Sequence, residues 1–378
     1  MDLVRRRASA DLGLASGHGL ISLSPPVPGI LEQDLDAALG RTRDRWTDLS
    51  GARLFVTGVT GFVGTLLLES IAHARAHTGV DLRVVALVRD PHRLFTRMPW
   101  AAQSRWLDIV CGDVQTFNLD VGAIDFAIHA ANTGSPREIV ADPDGVARMV
   151  VDGSLRVREM SAAAGVRRIL QISSGSVSGA HFTPAPPIAE DDPGIPIGEG
   201  AAECLARAKR DAEHALLAAS RKSGAPAIVL ARGFALCGPW IPLDSAFAFG
   251  NFIGAALRHE PIRVSGDGTP VRSYLYAGDL VVWLWNLLLK GESGRAYNVG
   301  SEHAVSIREL AHRVSDLLGG AVEIAEVPVP GAGAHWHVPS TARARNELGL
   351  EETVQLDEAI ARTAKWWVER SGAVAGQP

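Results

Sequence analysis

Short apolar runs alternate with longer amphipathic stretches over the first two thirds of the chain. The apolar runs have the length of β-strands and lie at 53–57, 82–88, 107–111, 125–130, 167–173 and 226–231. The stretches between them carry apolar residues at helical spacing, at about 62–77, 144–164 and 201–222. Strands that alternate with helices in this way predict an α/β fold with a doubly wound parallel sheet and helices on both faces.

A glycine-rich turn follows the first predicted strand and opens the first of these helices. The turn has the spacing TGxxGxxG, and its candidate cofactor-binding residues are Gly58, Thr60, Gly61, Phe62, Val63 and Gly64. Glycine lets the backbone turn tightly and approach a pyrophosphate, which then lies at the N-terminus of the helix. Because the turn lies between a strand and a helix, we predict that it binds a dinucleotide.

The ends of the next strands supply further cofactor candidates. Arg89 follows the second strand and suits a 2′-phosphate, which favours NADP; Asp90 could instead bind the ribose hydroxyls of NAD. Asp113 and Val114 follow the third strand, where a carboxylate can face the adenine. The small residues Ala130 and Ala131 follow the fourth strand, where cofactor and substrate pack closely.

The pattern becomes shorter and mixed after Gly238-Pro239. The elements predicted there are a strand at 261–264 and helices at 246–258, 279–289 and 356–369. Ser306 and Glu309 have the spacing of a capping box, which opens a helix to about Leu318. We assign Trp283, Trp285, Trp366 and Trp367 to the core of this region.

The two patterns predict an uneven division of the chain. A leader and one helix (31–49) occupy residues 1–50, and a Rossmann domain that binds NAD(P) occupies 51–240. A smaller mixed α/β substrate lobe, interleaved with the Rossmann domain, occupies 241–370. A cleft between lobes is the usual place for a ligand, so we expect the substrate there.

Charge and cysteine usage narrow the classes of partner. The net charge is −5 and the arginines are scattered, which argues against nucleic-acid binding. We find no apolar run long enough to cross a bilayer, so no membrane partner is predicted. Cys111, Cys204 and Cys237 lack the spacing of a metal or disulfide motif, and reduced thiols in a cytoplasmic protein fit them best.

Motifs along residues 50–370 together resemble the extended short-chain dehydrogenase/reductase superfamily, specifically the NAD-dependent epimerase/dehydratase family that acts on nucleotide sugars. The motifs are Thr57–Gly64, Gly112-Asp113, Ile172–Val177, Lys209, Arg232 with Gly238-Pro239, Arg272–Asp279 and Tyr297–Gly300. The resemblance implies that Ser174 binds the substrate hydroxyl and that Lys209 holds the nicotinamide ribose. It implies a pyrophosphate contact for Arg272, with Asn251 beside it, and a homodimer.

One position departs from the pattern of that family. The family's catalytic Tyr stands four residues before the Lys, and here that residue is Leu205, which cannot transfer a proton. The candidates for a replacement acid/base are His181, Glu190, Asp191, Asp192, Glu199 and Cys204. Gly175-Ser176 replaces the Asp-Glu pair of the family's dehydratases, which argues against ordinary 4,6-dehydration.

No metal site is predicted, because His335 and His337 have no third ligand nearby in the sequence.

Three functions therefore remain open. The first is an NAD(P)-dependent enzyme that acts on a nucleotide sugar or related polyol with a non-standard acid/base. The second is a non-redox lyase or isomerase on the same scaffold. The third is a catalytically inactive cofactor-binding protein that regulates a partner; Ser174 and Lys209 together favour the two enzymes.

Overall fold

The computed structural model describes residues 29–131, 136–200, 203–221, 224–245, 247–329 and 333–375. The helices are α1 (Ile30–Asp48), α2 (Phe62–Thr78), α3 (Pro91–Arg97), α4 (Pro136–Ala141), α5 (Pro143–Ala163), α6 (Cys204–Ser220), α7 (Ala248–Leu257), α8 (Ala277–Lys290), α9 (Ile307–Leu318), α10 (Ala342–Leu348) and α11 (Leu356–Ala375). The strands are β1 (Arg53–Thr57), β2 (Arg83–Val88), β3 (Leu107–Cys111), β4 (Phe126–His129), β5 (Arg168–Ser174), β6 (His181–Phe182), β7 (Ala227–Gly233), β8 (Ala235–Cys237), β9 (Ile262–Val264), β10 (Val271–Arg272), β11 (Tyr274–Tyr276), β12 (Ala296–Val299), β13 (Val305–Ser306), β14 (Val322–Ile324) and β15 (His335–His337).

A parallel sheet of seven strands forms the centre of the molecule, in the order β12-β7-β5-β4-β1-β2-β3. Alternate residues of each strand face opposite sides. Leu54 and Val56 of β1 pack with α2 and α8, whereas Phe55 packs with α5 and α6. The predicted doubly wound parallel sheet is therefore confirmed, and the strand order reverses between β1 and β4, where such sheets bind ligands.

The six predicted strands agree with the structure to within about two residues at each end, and the seventh strand was missed. β12 enters the sheet beside β7, although some 60 residues separate the two strands in the chain. In the sequence, Tyr297–Gly300 is recognisable only as a motif, without a strand-like run. The predicted helix at 201–222 is α6, and residues 201, 202 and 222 lie outside the described residues.

The assignment of the tryptophans to the second lobe was wrong. Trp283, Trp285 and Trp366 lie in the core that covers one face of the central sheet, and Trp367 packs against that core. The reason is that α8 is buried nearly all round, between the sheet and α1. The Trp285 ring contacts Trp46 of α1, with ring centroids 4.9 Å apart.

The smaller lobe is built around a second apolar core. That core contains α7, α9 and part of α11, and the lobe adds a four-stranded sheet of order β13-β10-β15-β6. The predicted capping box is confirmed: Ser306 Oγ accepts from the Glu309 N–H at 3.1 Å, and Glu309 accepts from the Ser306 N–H at 3.1 Å. In the described part of the chain, every helix is too short or too polar to cross a lipid bilayer.

Helix α1 is fixed to the rest of the fold by a buried carboxylate. Asp34 accepts a hydrogen bond from the Tyr276 hydroxyl at 2.5 Å and forms an ion pair with Arg362 of α11. Burial raises the pKa of Asp34, against the opposing effects of Tyr276 and Arg362. The first and the last described helices are therefore joined through one side chain.

We expect Asp34→Ala to lower the free energy of unfolding by about 1–3 kcal/mol, because the change leaves the Tyr276 hydroxyl buried without its acceptor and removes one of the two ion pairs of the half-buried Arg362. Urea denaturation measures this loss. Asp44→Ala is the matched control, since Asp44 lies on the same helix and is exposed. An equal, small loss in both variants would contradict the prediction.

Candidate functional site

Two glycines of the turn after β1 are required by packing. Gly58 has a φ of +75°, and a Cβ there would lie 2.5 Å from the backbone nitrogen of Ala131. A Cβ on Gly64 would lie 2.6 Å from the Cα of Val59. Side chains at these two positions would therefore displace the backbone, and their glycines are explained by the fold alone.

Gly61 differs from these two. Its φ is an ordinary −82°, and a Cβ there would meet only the Gly58 carbonyl oxygen, at 3.3 Å. Gly61 is also the exposed N-cap of α2, and no side chain caps that helix end within the described residues. The first N–H groups of α2 are thus open to an anion, as a bound pyrophosphate requires. Thr60, Phe62 and Val63 are half-buried around this turn.

The predicted adenosine-side residues lie along the rim of the same sheet edge. Arg89 is exposed after β2, while Asp90 caps α3 by accepting from the His92 N–H at 2.9 Å. After β3, Asp113 accepts from the Gln115 N–H at 2.9 Å within its own turn. Val114 is buried against α5. The roles of these residues in cofactor binding stay predictions.

The end of β4 contains a residue that the sequence analysis missed. His129 is buried, and its Nδ1 lies 2.6 Å from Thr57 Oγ1, which also accepts from the Ala131 N–H at 3.1 Å. Burial, reinforced by the positive charge of Lys209, lowers the pKa of His129 to about 3. The imidazole is therefore neutral, and it shares one hydrogen bond with the Thr57 hydroxyl. A polar residue that ends an otherwise apolar strand was the available signal; Asn132, three residues on, lies outside the described residues.

Ser174 and Lys209 both lie close to the carboxyl end of β5. Ser174 Oγ accepts from the Ser176 hydroxyl at 2.9 Å and from the Ser176 N–H at 3.2 Å, which leaves its own hydrogen free to donate. Lys209 Nζ is buried and donates to the Ile172 carbonyl at 3.1 Å. Burial lowers the pKa of Lys209 to about 8, although Glu213 opposes this shift.

Leu205 lies one turn before Lys209 on α6. Its side chain is half-buried and packs against a small apolar cluster between α5 and α6, formed by Val150, Ala208 and Ala212. Position 205 therefore offers no proton donor or acceptor next to Lys209.

The acidic candidates of the loop between β6 and α6 differ in what they contact. Glu190 is buried and accepts from the Asn298 N–H at 2.8 Å, so it fastens the loop to β12. Asp191 forms an ion pair with Arg343, which lowers the pKa of that carboxyl. Asp192 accepts from the Gly194 N–H at 2.8 Å in a local turn, and Glu199 is exposed.

The remaining two candidates are both buried. Cys204 Sγ contacts the Pro143 carbonyl, which is a packing role. His181 Nε2 is buried and finds no hydrogen-bond partner among the described residues, and the same holds for the Nε1 of Trp336, its cross-strand neighbour. Buried ring nitrogens without partners, here on two paired residues, are costly in a folded protein unless a bound molecule satisfies them.

The predicted pyrophosphate residue lies in the sheet of the smaller lobe. Arg272 Nη1 donates to His335 Nδ1 at 3.1 Å, and His337 is its neighbour in the adjacent strand. Burial, followed by the charge of Arg272, lowers the pKa of His335 and brings that of His337 to about 3. The site is therefore one guanidinium beside two neutral imidazoles, on the opposite face of the sheet from His181.

Asn251, which we expected beside Arg272, donates instead to the Ser245 carbonyl. No hydrogen bond joins Asn251 to Arg272 in the part of the chain that the structure describes. His335 and His337 have ring centroids 6.5 Å apart, and no third metal-ligating side chain completes a cluster with them among the described residues.

A buried ion pair that was not predicted from the sequence fixes α6, the helix that carries Lys209. Arg232 of β7 contacts Glu213 of α6 at 2.8 Å, and the Ser173 hydroxyl donates to the same carboxylate at 2.5 Å. Arg232 also donates to the Glu190 carbonyl at 2.9 Å. This network holds α6, and with it Lys209, against β5.

Fold and site together define a Rossmann-type dinucleotide-binding protein, because an open glycine turn lies at the point where the strand order reverses. Residues 54–300 match the model of the NAD dependent epimerase/dehydratase family. The chain belongs to this family.

Named relatives agree with that membership. The chain is 28% identical over 314 residues to UDP-glucuronic acid decarboxylase 6 of Arabidopsis thaliana, which covers 82% of this chain and 87% of that protein. It superposes on MoeE5 in complex with UDP-glucose and NAD with a TM-score of 0.70, at 26% identity, over 85% of this chain and 99% of that one. The match to RMD from Pseudomonas aeruginosa complexed with NADPH has a TM-score of 0.67, at 26% identity, over 84% and 99% of the two chains.

We expect Gly61→Val to weaken NAD(P) binding by about a hundredfold or more, because the side chain fills the space over the first turn of α2. Titration with the reduced cofactor, followed by fluorescence, measures the affinity. Circular dichroism should be unchanged, since only the Gly58 oxygen approaches the new Cβ. Gly40→Val on α1, where a Cβ meets nothing within 4 Å, is the control. Unchanged affinity in Gly61→Val would refute the assignment.

Proposed function

We propose that the protein catalyses an NAD(P)-dependent, epimerase- or dehydratase-like conversion of a nucleotide sugar or a related polyol. The observation that carries this proposal is Lys209: its buried ammonium has the Ile172 carbonyl as its one acceptor among the described residues. The hydroxyls of a nicotinamide ribose would provide the missing acceptors. Membership of the family and the nucleotide-sugar relatives support the same reading.

In this proposal the bound cofactor supplies the hydride acceptor, and the chain positions the substrate. Ser174 donates its free hydrogen to a substrate oxygen, since both contacts from Ser176 leave that hydrogen unused. Burial keeps His129 neutral. Lys209, whose pKa is lowered to about 8, supplies the positive charge that acts on this imidazole. Arg272, beside two neutral imidazoles, binds the diphosphate of the substrate.

We propose NADP as the favoured cofactor and NAD as the alternative. The carboxylate of Asp90 is engaged in capping α3, which makes it less available to ribose hydroxyls. Arg89 is exposed at the end of β2, where it can meet a 2′-phosphate. We also retain the cytoplasm as the proposed location.

We further propose that the proton is transferred by a residue other than that at position 205. Glu190, Asp191, Asp192 and Cys204 already make contacts that hold the structure together. His181 is the remaining candidate, because its ring nitrogen is buried and has no partner in the described residues, although strand pairing places it on the opposite face of the smaller sheet from Arg272. It follows Ser174 by seven residues along the chain, at the edge of the smaller sheet.

The packing of Leu205 favours a second candidate function, a cofactor-binding protein without catalysis. Position 205 carries an apolar side chain that packs between α5 and α6, so it has no group that can transfer a proton. The two functions are separated by incubating the purified protein with nucleotide sugars and either cofactor, followed by mass spectrometry. Tight cofactor binding with no sugar turned over would support the non-catalytic function.

We expect Leu205→Tyr to leave the rate on a productive substrate within about twofold of the wild type, because the acid/base lies elsewhere. His181→Gln should lower kcat by roughly a hundred- to ten-thousandfold. Ser174→Ala and Lys209→Ala should also lower it, the latter with weaker cofactor retention. His312→Gln, at an exposed position on α9, is the control. A large gain from Leu205→Tyr would show instead that the usual site is merely impaired.

We also propose a homodimer, as in the sequence analysis. The helix at 201–222 is rich in alanine, which permits close helix packing, but Ala208 and Ala212 are buried against α5 within one subunit. The outer faces of α5 and α6 would therefore have to form the interface. Light scattering at micromolar concentration should give twice the chain mass, and a monomer would contradict the proposal.

A further inference from the structure

Three side chains that can ligate a metal ion meet where α1 contacts α2, apart from the cofactor turn. They are Asp36 of α1 and His73 and His77 of α2, and one donor atom from each lies within 4.8 Å of the others. His73 and His77 are four residues apart, so they lie on the same face of α2. Two histidines at this spacing on a helix are a recurrent metal-binding arrangement.

The hydrogen bonds of the cluster already orient the imidazoles. His73 Nε2 lies 2.8 Å from a carboxylate oxygen of Asp36, and the two imidazole rings stack with centroids 4.0 Å apart. His77 Nδ1 lies 2.8 Å from the His73 carbonyl oxygen. Because a carbonyl oxygen only accepts, His77 carries its hydrogen on Nδ1 and keeps a lone pair on Nε2. A carbonyl that holds the other ring nitrogen is the usual support of a metal-bound histidine.

We propose that Asp36, His73 and His77 bind a divalent first-row transition-metal ion of the Zn²⁺ type. Two imidazoles and one carboxylate are a donor set that suits Zn²⁺, at about 2.0–2.2 Å from each donor. On binding, His73 Nε2 loses its hydrogen bond to Asp36 and both groups become ligands. Asp36 and His77 are exposed, so water can complete the coordination.

An ordinary hydrogen bond between Asp36 and His73 would explain part of this arrangement. The side chain of His73 is 8% exposed and that of Asp36 is 54% exposed, and such a pair alone contributes little to stability. It does not explain why a second imidazole, that of His77, has a donor nitrogen within 4.8 Å of donor atoms of both. The third donor is the feature that points to a metal ion.

The site would join α1 to the C-terminal half of α2. His73 is eleven residues beyond Phe62, or about 16 Å along the helix, from the end that borders the cofactor turn. The metal would therefore stabilise the packing of α1 without contacting the cofactor. Metal binding and cofactor binding are expected to be independent, and the site does not depend on the proposed catalytic function.

Calorimetric titration of the chelator-treated full chain with Zn²⁺ tests the proposal. We expect one ion per chain in the wild type, and at least tenfold weaker binding in each of Asp36→Asn and His77→Ala. Both changes are at exposed side chains, so circular dichroism should confirm an unchanged fold. His312→Ala removes an exposed histidine elsewhere and should bind Zn²⁺ as the wild type does.

Two further measurements complete the test. Zn²⁺ should raise Tm in the wild type and in His312→Ala but not in the double variant Asp36→Asn/His77→Ala, while NAD(P) affinity stays equal in all of them. Substitution with Co²⁺ should give a visible absorption spectrum that the double variant lacks. Absence of saturable binding to the wild type, or unchanged binding to the double variant, would overturn the proposal.

Discussion

The contact between the Gly58 backbone and the Ala130-Ala131 backbone is the constraint on which the site depends. β1 and β4 diverge at this point, and the chain leaving β1 must turn against the chain leaving β4 with no space for a Cβ. The Thr57 hydroxyl closes the same junction by accepting from the Ala131 N–H. The three glycines of the turn thus have two functions: Gly58 and Gly64 permit the close approach, and Gly61 leaves the helix end open.

Burial of ionisable groups determines the electrostatics around this junction. His129 is kept neutral, whereas Lys209 is held in a buried position where its pKa falls to about 8. An ammonium in that position opposes folding more than a methylene chain would, because desolvation is only partly offset by the Ile172 carbonyl and the charge of Glu213. The ion pair of Arg232 with Glu213 holds α6 in place despite this cost. Such a combination is typical of a site in which stability has been exchanged for ligand binding.

The central sheet was largely predictable because its strands are buried on both faces and appear as continuous apolar runs. β12 was not predicted as a strand, since Ala296–Val299 is short and joins the sheet only through its distant partner β7. The placement of Trp283 and Trp285 was wrong for a related reason, which is that local pattern does not reveal long-range partners. Helical periodicity shows that a segment is apolar, but not which layer it packs against. The glycine turn could be predicted from local spacing. The roles of Glu190 and His129 could not, because each depends on a neighbour brought close only by the tertiary fold.

The late entry of β12 affects the order in which a newly synthesised chain can fold. When the ribosome has completed β7, that strand is still an unpaired edge, and the sheet face that later receives α8 is exposed. Roughly 60 further residues must be added before β12 can cover that edge, which takes about 3–12 s at about 5–20 residues per second. Helix α1 completes its contacts later still, because Asp34 can pair with Arg362 only after α11 has been synthesised. The nascent protein therefore cannot complete its core before α11 has been synthesised, and an apolar surface stays exposed to chaperones until then.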